Sequence, residues 1–153
     1  MSTDKRHEVL NQTVADLSQF AVVIHQVHWY MRGPEFLNLH PKMDEFMDEI
    51  NDILDEVAER LITIGGAPYS TLKEFADNTK IPDEKGTYEK SIPDHVEVLI
   101  KGYRYLRELA QEGIEVSGEA GDSVTEDIFI DMQGKIEKTL WMLTAKLGRA
   151  PEL

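Results

Sequence analysis

Apolar residues recur three or four positions apart through four long stretches of the chain, the spacing that gathers them on one face of an α-helix. In the first stretch, from about Lys5 to Met31, the row is Leu10, Val14, Leu17, Ala21, Ile24 and Met31, and His28 falls in the same row. The second row is Met43, Met47, Ile50, Leu54, Val57 and Leu61. The third is Val96, Leu99, Tyr103, Leu106, Ala110 and Ile114, and the fourth is Val124, Ile128, Met132, Ile136, Leu140, Leu143 and Leu147. The pattern predicts an all-α protein.

Helix breakers fall between these rows. Gly33-Pro34 closes the first helix, and the second begins between Pro34 and Pro41, with Asn38 a candidate N-cap and Pro41 in the first turn. It runs to about Ile64, where Gly65-Gly66 ends it. From Ala67 to Ile92 the chain carries Pro68, Pro82 and Gly86 and is too long for a hairpin between neighbouring helices, so it must cross over. Within it Thr71 and Glu74 have capping-box spacing, which predicts a short extra helix over TLKEFADN. Pro93 opens the third long helix, which ends between Gly118 and Gly121. Ser123 and Glu126 form a second capping-box pair opening the fourth, and Gly148 and Pro151 close it. Four long helices with one long crossover between the second and third make a four-helix bundle, expected as a single domain over residues 1–153.

The second helix carries more than a core stripe. His40 and Asp44 are one helical turn apart, as are Asp55 and Glu59. With His40 at zero and about 100° per residue, Asp44 falls near ~40°, Asp55 near ~60° and Glu59 near ~100°, while the apolar row lies between about 260° and 340°. Singly, each acid reads as part of a solvated helix face. His28 alone reads as a hydrogen-bonded core histidine. Together, His28, His40, Asp44, Asp55 and Glu59 read as metal ligands. Asp44 and Asp55 lie about 16 Å apart along the axis, too far to share one small centre. Each pair therefore needs a partner surface, and a second copy packed antiparallel about a twofold axis supplies it, giving two sites per dimer. Imidazole and carboxylate donors suit Fe(II), with zinc also possible; an all-oxygen set would have pointed to magnesium or calcium.

Cysteine is absent, which excludes disulfides and thiolate chemistry. The 29 acidic against 16 basic side chains leave a formal charge of −13, which repels nucleic acid and attracts cations. No apolar run approaches membrane-spanning length and the first residues lack a signal core, so a cytoplasmic protein without membrane contact is expected.

The order His28, Trp29, Gly33, Phe36, Leu39, His40, followed by Asp55, Ala58, Glu59 and Arg60, resembles the signature of the Dps proteins, the miniferritins. Gly65-Gly66, the short crossover helix and Trp141-Met142-Leu143 extend the likeness over most of the chain. The resemblance implies a ferritin-like bundle assembled as a hollow homododecamer. It implies that His28, His40 and Asp44 of one chain face Asp55 and Glu59 of another. It further implies a ferroxidase that uses hydrogen peroxide in preference and stores a ferric mineral against oxidative stress. No Glu-x-x-His pair stands at a ligand position, which favours this shared site over the centre inside one bundle used by full-size ferritins.

A shell needs entry routes, and Asp122, Glu126, Asp127 and Asp131 at the start of the fourth helix are candidates, with Asp127 preferred. For Asp122 and Glu126, compensation of the helix dipole is an equal reading. Coating of DNA is the rival function. Lys5 and Arg6 are the only basic residues among the first ten, and Arg149 the only one after Lys146, too few to neutralise many phosphates. DNA binding is not expected. Trp29, beside the histidines, reads as a packing residue first and as an interceptor of one-electron oxidants second.

Overall fold

Asp4 accepts a hydrogen bond from the Arg6 backbone N–H and starts the first helix, α1 (Lys5–Tyr30). The computed structural model describes residues 4–153, so residues 1–3 of the expected domain lie outside it. Four further helices follow: α2 (Phe36–Thr63), the short α3 (Leu72–Asn78), α4 (Ile92–Glu119) and α5 (Ser123–Lys146). Among the described residues there is no strand, and no helix is long and apolar enough to cross a membrane.

Ion pairs at the helix ends fix the topology. At one end Asp122, just before α5, pairs with Arg6 of α1 and Arg60 near the end of α2. At the other end Lys146 closes α5 against Glu35, which precedes α2. The second and fifth helices are therefore antiparallel, and the crossover must return the chain along the bundle before α4 begins. It does so over α1, whose polar side chains bond it in register. Asn11 meets Ala67 and Tyr69, Gln12 meets Asn78, Asp16 meets Thr79 and Lys80, Gln19 meets Pro82, and Gln26 meets Glu84. Fifteen residues of α1 cover about 22 Å, so a strap rather than a loose loop spans most of one side.

The four long helices enclose one core in which Phe20 and Phe46 meet the edges of the Tyr103 ring at 4.7 and 6.1 Å. Its rows follow the predicted ones with exceptions. In α2, Phe46 and Ile53 are buried and Leu54 is only partly so. In α5, Val124 is exposed and Phe129, in van der Waals reach of Gly113, fills the interior instead.

Three helix starts correct or confirm the sequence reading. The chain leaves α1 through Gly33 and Glu35, both at positive φ, so α2 begins at Phe36 and Asn38 lies inside it rather than capping it. Pro41 is thus an interior proline. Its missing N–H would have served the carbonyl of Leu37, which sits on an exposed turn where water can replace it. Asp122, not Ser123, caps α5 through the Thr125 N–H. The capping box of α3 forms as expected between Thr71 and Glu74.

Candidate metal centre

His28 closes the last turn of α1 and His40 stands in the second turn of α2, so the tight reversal between the helices brings them face to face. Their rings stack at 3.7 Å and 11°. His28 Nδ1 lies 2.7 Å from the His40 carbonyl oxygen, and His40 Nδ1 lies 2.9 Å from the His28 carbonyl oxygen. A carbonyl only accepts, so each Nδ1 must carry the proton and each Nε2 is left with a free lone pair. Phe36 stacks on the other face of His40 at 4.9 Å and holds that ring in place. Neighbouring acceptors of this kind set the tautomer and orientation of metal-binding imidazoles.

Asp44 joins the pair, with its Oδ1 3.7 Å from His28 Nε2 and its side chain 73% exposed. The structure thus places three of the five expected ligands, His28, His40 and Asp44, in one neighbourhood. Asp55 and Glu59 are exposed three to four turns further along α2, on the same helix but away from the histidines. Among the described residues, no three His, Asp or Glu side chains of one chain converge closely enough to hold a metal ion. What one chain offers is two separate half-sets, a histidine-rich one and a carboxylate one.

Trp29 is 66% exposed and stacks on His25 at 4.9 Å, so within one chain it packs little and leaves a broad apolar surface beside the histidines. The pore candidates divide. Asp122 has its side chain 7% exposed and both oxygens engaged, by Arg6 at 2.8 Å, Arg60 at 2.9 Å and Thr125. Burial pushes its carboxyl up, yet the hydrogen bonds from Thr125 and Arg6 and the charge of Arg60 outweigh that, and the net shift is downward. That carboxylate is a structural anion, which corrects its reading as a channel residue. Asp127 remains exposed, and Asp131 is exposed beside Lys135 at 2.9 Å.

Two parts of this arrangement escape inspection of the sequence. The backbone carbonyls that orient His28 and His40 have no residue signature, because every residue has one. Arg60 stands at the end of the Asp55–Arg60 run, but its long-range partners Thr125 and Asp122 lie more than sixty positions away.

The chain matches the Ferritin-like domain family over residues 7–153. It is 54% identical over 145 residues to the DNA protection during starvation protein of Streptococcus suis, spanning 95% of this chain and 84% of that relative. Dps from Listeria monocytogenes has a crystal structure that superposes with a TM-score of 0.94 at 46% identity, covering 98% of this chain and 97% of that one. Dps from Listeria innocua soaked with zinc superposes with a TM-score of 0.92 at 44% identity, covering 95% and 98%. With the family matched over nearly its whole length and the bundle, strap and crossover helix all present, this chain belongs to the Dps family of ferritin-like proteins.

Proposed function

We propose that this protein is a ferroxidase that oxidises Fe(II), preferably with hydrogen peroxide, at sites shared between two subunits, and stores the ferric product inside a hollow dodecamer. The observation that carries the reading is the reciprocal lock of His28 and His40, which frees both Nε2 lone pairs, that of His28 facing the Asp44 carboxylate at 3.7 Å. Asp55 and Glu59 of the partner subunit would complete each site. Iron is the substrate here. The donor set fits it, because imidazole and carboxylate are intermediate to hard ligands and carry anionic charge that favours the trivalent product.

Two ferrous ions each giving one electron to the same peroxide, with two protons taken up, yield two ferric ions and two waters. No hydroxyl radical is released by that route, so iron and peroxide are removed together. The half-sites of the chain hold and orient the ions; the locked tautomers mean that neither histidine must reorganise before binding. Exposed Asp127 and Asp131 at the start of α5 would attract cations to an entry channel.

The relatives' name speaks of DNA protection. For this chain, with a formal charge of −13, the protection would come from removing iron and peroxide rather than from coating DNA. The test is anaerobic addition of ferrous iron followed by peroxide, with ferric absorbance and hydroxyl radical followed in one sample. Fast oxidation with radical suppressed is expected. His40→Ala should slow oxidation by at least the roughly tenfold that loss of a ligand's outlying partner costs; an unchanged rate in that variant would overturn the reading.

A further inference from the structure

The last turns of α2 carry the carboxylate half-set, yet α2 packs mainly on α1 and touches α5 sparsely. Its firm link to α5 is a single side chain. Arg60, the residue after Glu59, donates Nε to Thr125 Oγ1 at 2.9 Å and Nη2 to Asp122 Oδ1 at 2.9 Å. Asp122 is the N-cap of α5 and Thr125 lies in its first turn. Thr125 is fully buried and Asp122 nearly so, and Asp122 is itself fixed from α1 by Arg6 at 2.8 Å. The planar guanidinium therefore has two donors in fixed directions on two immobile acceptors, an arrangement a lysine ammonium cannot reproduce.

The consequence for the helix is rotational. Neighbouring residues differ by about 100° around the axis, so fixing the Arg60 side chain fixes the direction in which Glu59 leaves the helix, and Asp55 one turn earlier with it. His7 adds a tether at the same end, Nε2 to the Ile64 carbonyl at 3.1 Å, but it acts past the final turn and holds position more than rotation. The carboxylates themselves are exposed and, among the described residues, no side chain of the chain pairs with them to aim them.

We propose that Arg60, held by Asp122 and Thr125, is a positioning residue that sets the aim of Asp55 and Glu59, so that the pair governs how tightly the carboxylate half-set binds a divalent cation. The proposal rests on the shared-site reading above. It goes beyond that reading in giving a function to two residues that touch no iron and lie on the far side of the helix from the ligands.

The test uses the assembled protein with Asp122→Asn and Arg60→Lys. Asparagine still accepts from the Thr125 N–H and keeps the cap of α5, but it removes the charge. Lysine keeps the charge and loses the fork. Three quantities are read: anaerobic Zn2+ affinity by calorimetry, the KM and kcat for Fe(II) oxidation, and the unfolding temperature, each on material whose native mass matches the wild type. Both variants should weaken Zn2+ binding and raise KM about tenfold, the lower end of what outlying partners of metal ligands contribute, with kcat within about twofold. A lower unfolding temperature with unchanged Zn2+ affinity and KM would overturn the proposal, as would failure of both variants to assemble, since the pair would then serve only to hold the fold. Glu59→Gln separates the two levels of inference. If it leaves Zn2+ affinity and oxidation unaltered, the shared-site reading fails; if it impairs them while Asp122→Asn and Arg60→Lys do not, only the positioning role fails.

Discussion

His95 lies in the first turn of α4, 3% exposed, and among the described residues its Nε2 has no hydrogen-bond partner. Burial pushes its pKa below the usual 6.5, the charge of Lys90 adds to the shift, and Asp94 opposes it. The folded protein therefore binds this proton less readily than the unfolded chain does. The stability that goes with a neutral His95 is complete above about pH 6.5 and is lost as the pH falls toward the lowered value. Asp122, whose carboxyl is also held low, gives its loss in a separate window below about pH 4, where the unfolded carboxylate takes up its proton first. The unfolding temperature measured from pH 8 to pH 4 should fall in the first window for the wild type. His95→Leu, which removes the titrating group and fills a similar volume, should flatten that part of the profile. An equal slope in both proteins would assign the mid-pH loss to other groups.

At the scale of the element, the crossover is held by one buried carboxylate more than by its own short helix. Asp16 of α1 is fully buried and accepts from Thr79 Oγ1 at 2.7 Å, the Lys80 N–H at 2.8 Å, Gln12 Nε2 at 3.0 Å and the Tyr105 hydroxyl of α4. Burial and the Asp16 carboxylate both push the Tyr105 phenol up, so it stays protonated and donating. Asp16→Ala would leave these donors without an acceptor, at a cost of about 3–5 kcal/mol by the scale for breaking a buried charged network. The amides of Lys80 and Ile81 should lose most of their hydrogen-exchange protection, while those of α5 fall only by the global loss of stability. Equal loss everywhere would mean that the strap does not open separately. Tyr105→Phe, which removes one donor and leaves the carboxylate served by three others, should be milder.

The same element shows what sequence reading reaches. Spacing of Leu10, Val14, Leu17 and Ile24 identifies α1 as a helix, and Pro68, Pro82 and Gly86 mark the connection as irregular, because periodicity and breakers act locally. The second stripe of α1, Asn11, Gln12, Asp16, Gln19 and Gln26, looks like an ordinary solvated face. Its partners are 56 or more residues away, so nothing local distinguishes a side chain that binds water from one that binds the strap. Helix starts fail for a related reason. Asn38 and Ser123 have good capping chemistry, but the left-handed conformation at Glu35 and the two arginines on Asp122 decide where α2 and α5 begin. At the candidate site, i,i+4 spacing marks His40 with Asp44, and His28 joins them as a candidate only in company with the downstream residues; the carbonyls that fix the histidine tautomers are invisible until the chain is folded.

For the whole molecule, the question is whether the two half-sets on one chain ever serve the same metal centre. About 16 Å of helix between Asp44 and Asp55 argues that they do not, and that each half-set works with its complement on a second chain. Mixed assemblies can decide it. A His40→Ala chain keeps its carboxylates and a Glu59→Gln chain keeps its histidines, so each homodimer has two broken sites. In a heterodimer one site combines both defects, and the other combines the intact histidines of one chain with the intact carboxylates of its partner. Random pairing at equal amounts makes half of the dimers mixed, so about a quarter of all sites should be whole under twofold sharing. Co-refolded mixtures should then recover about a quarter of the wild-type rate of peroxide-dependent oxidation, although neither variant alone shows more than a trace. The recovered activity should carry the wild-type KM for Fe(II), because the whole sites contain no substitution. Mixtures no more active than the separate variants, in assemblies shown by mass to contain both chains, would place the half-sets in independent centres and remove the twofold axis from the chemistry.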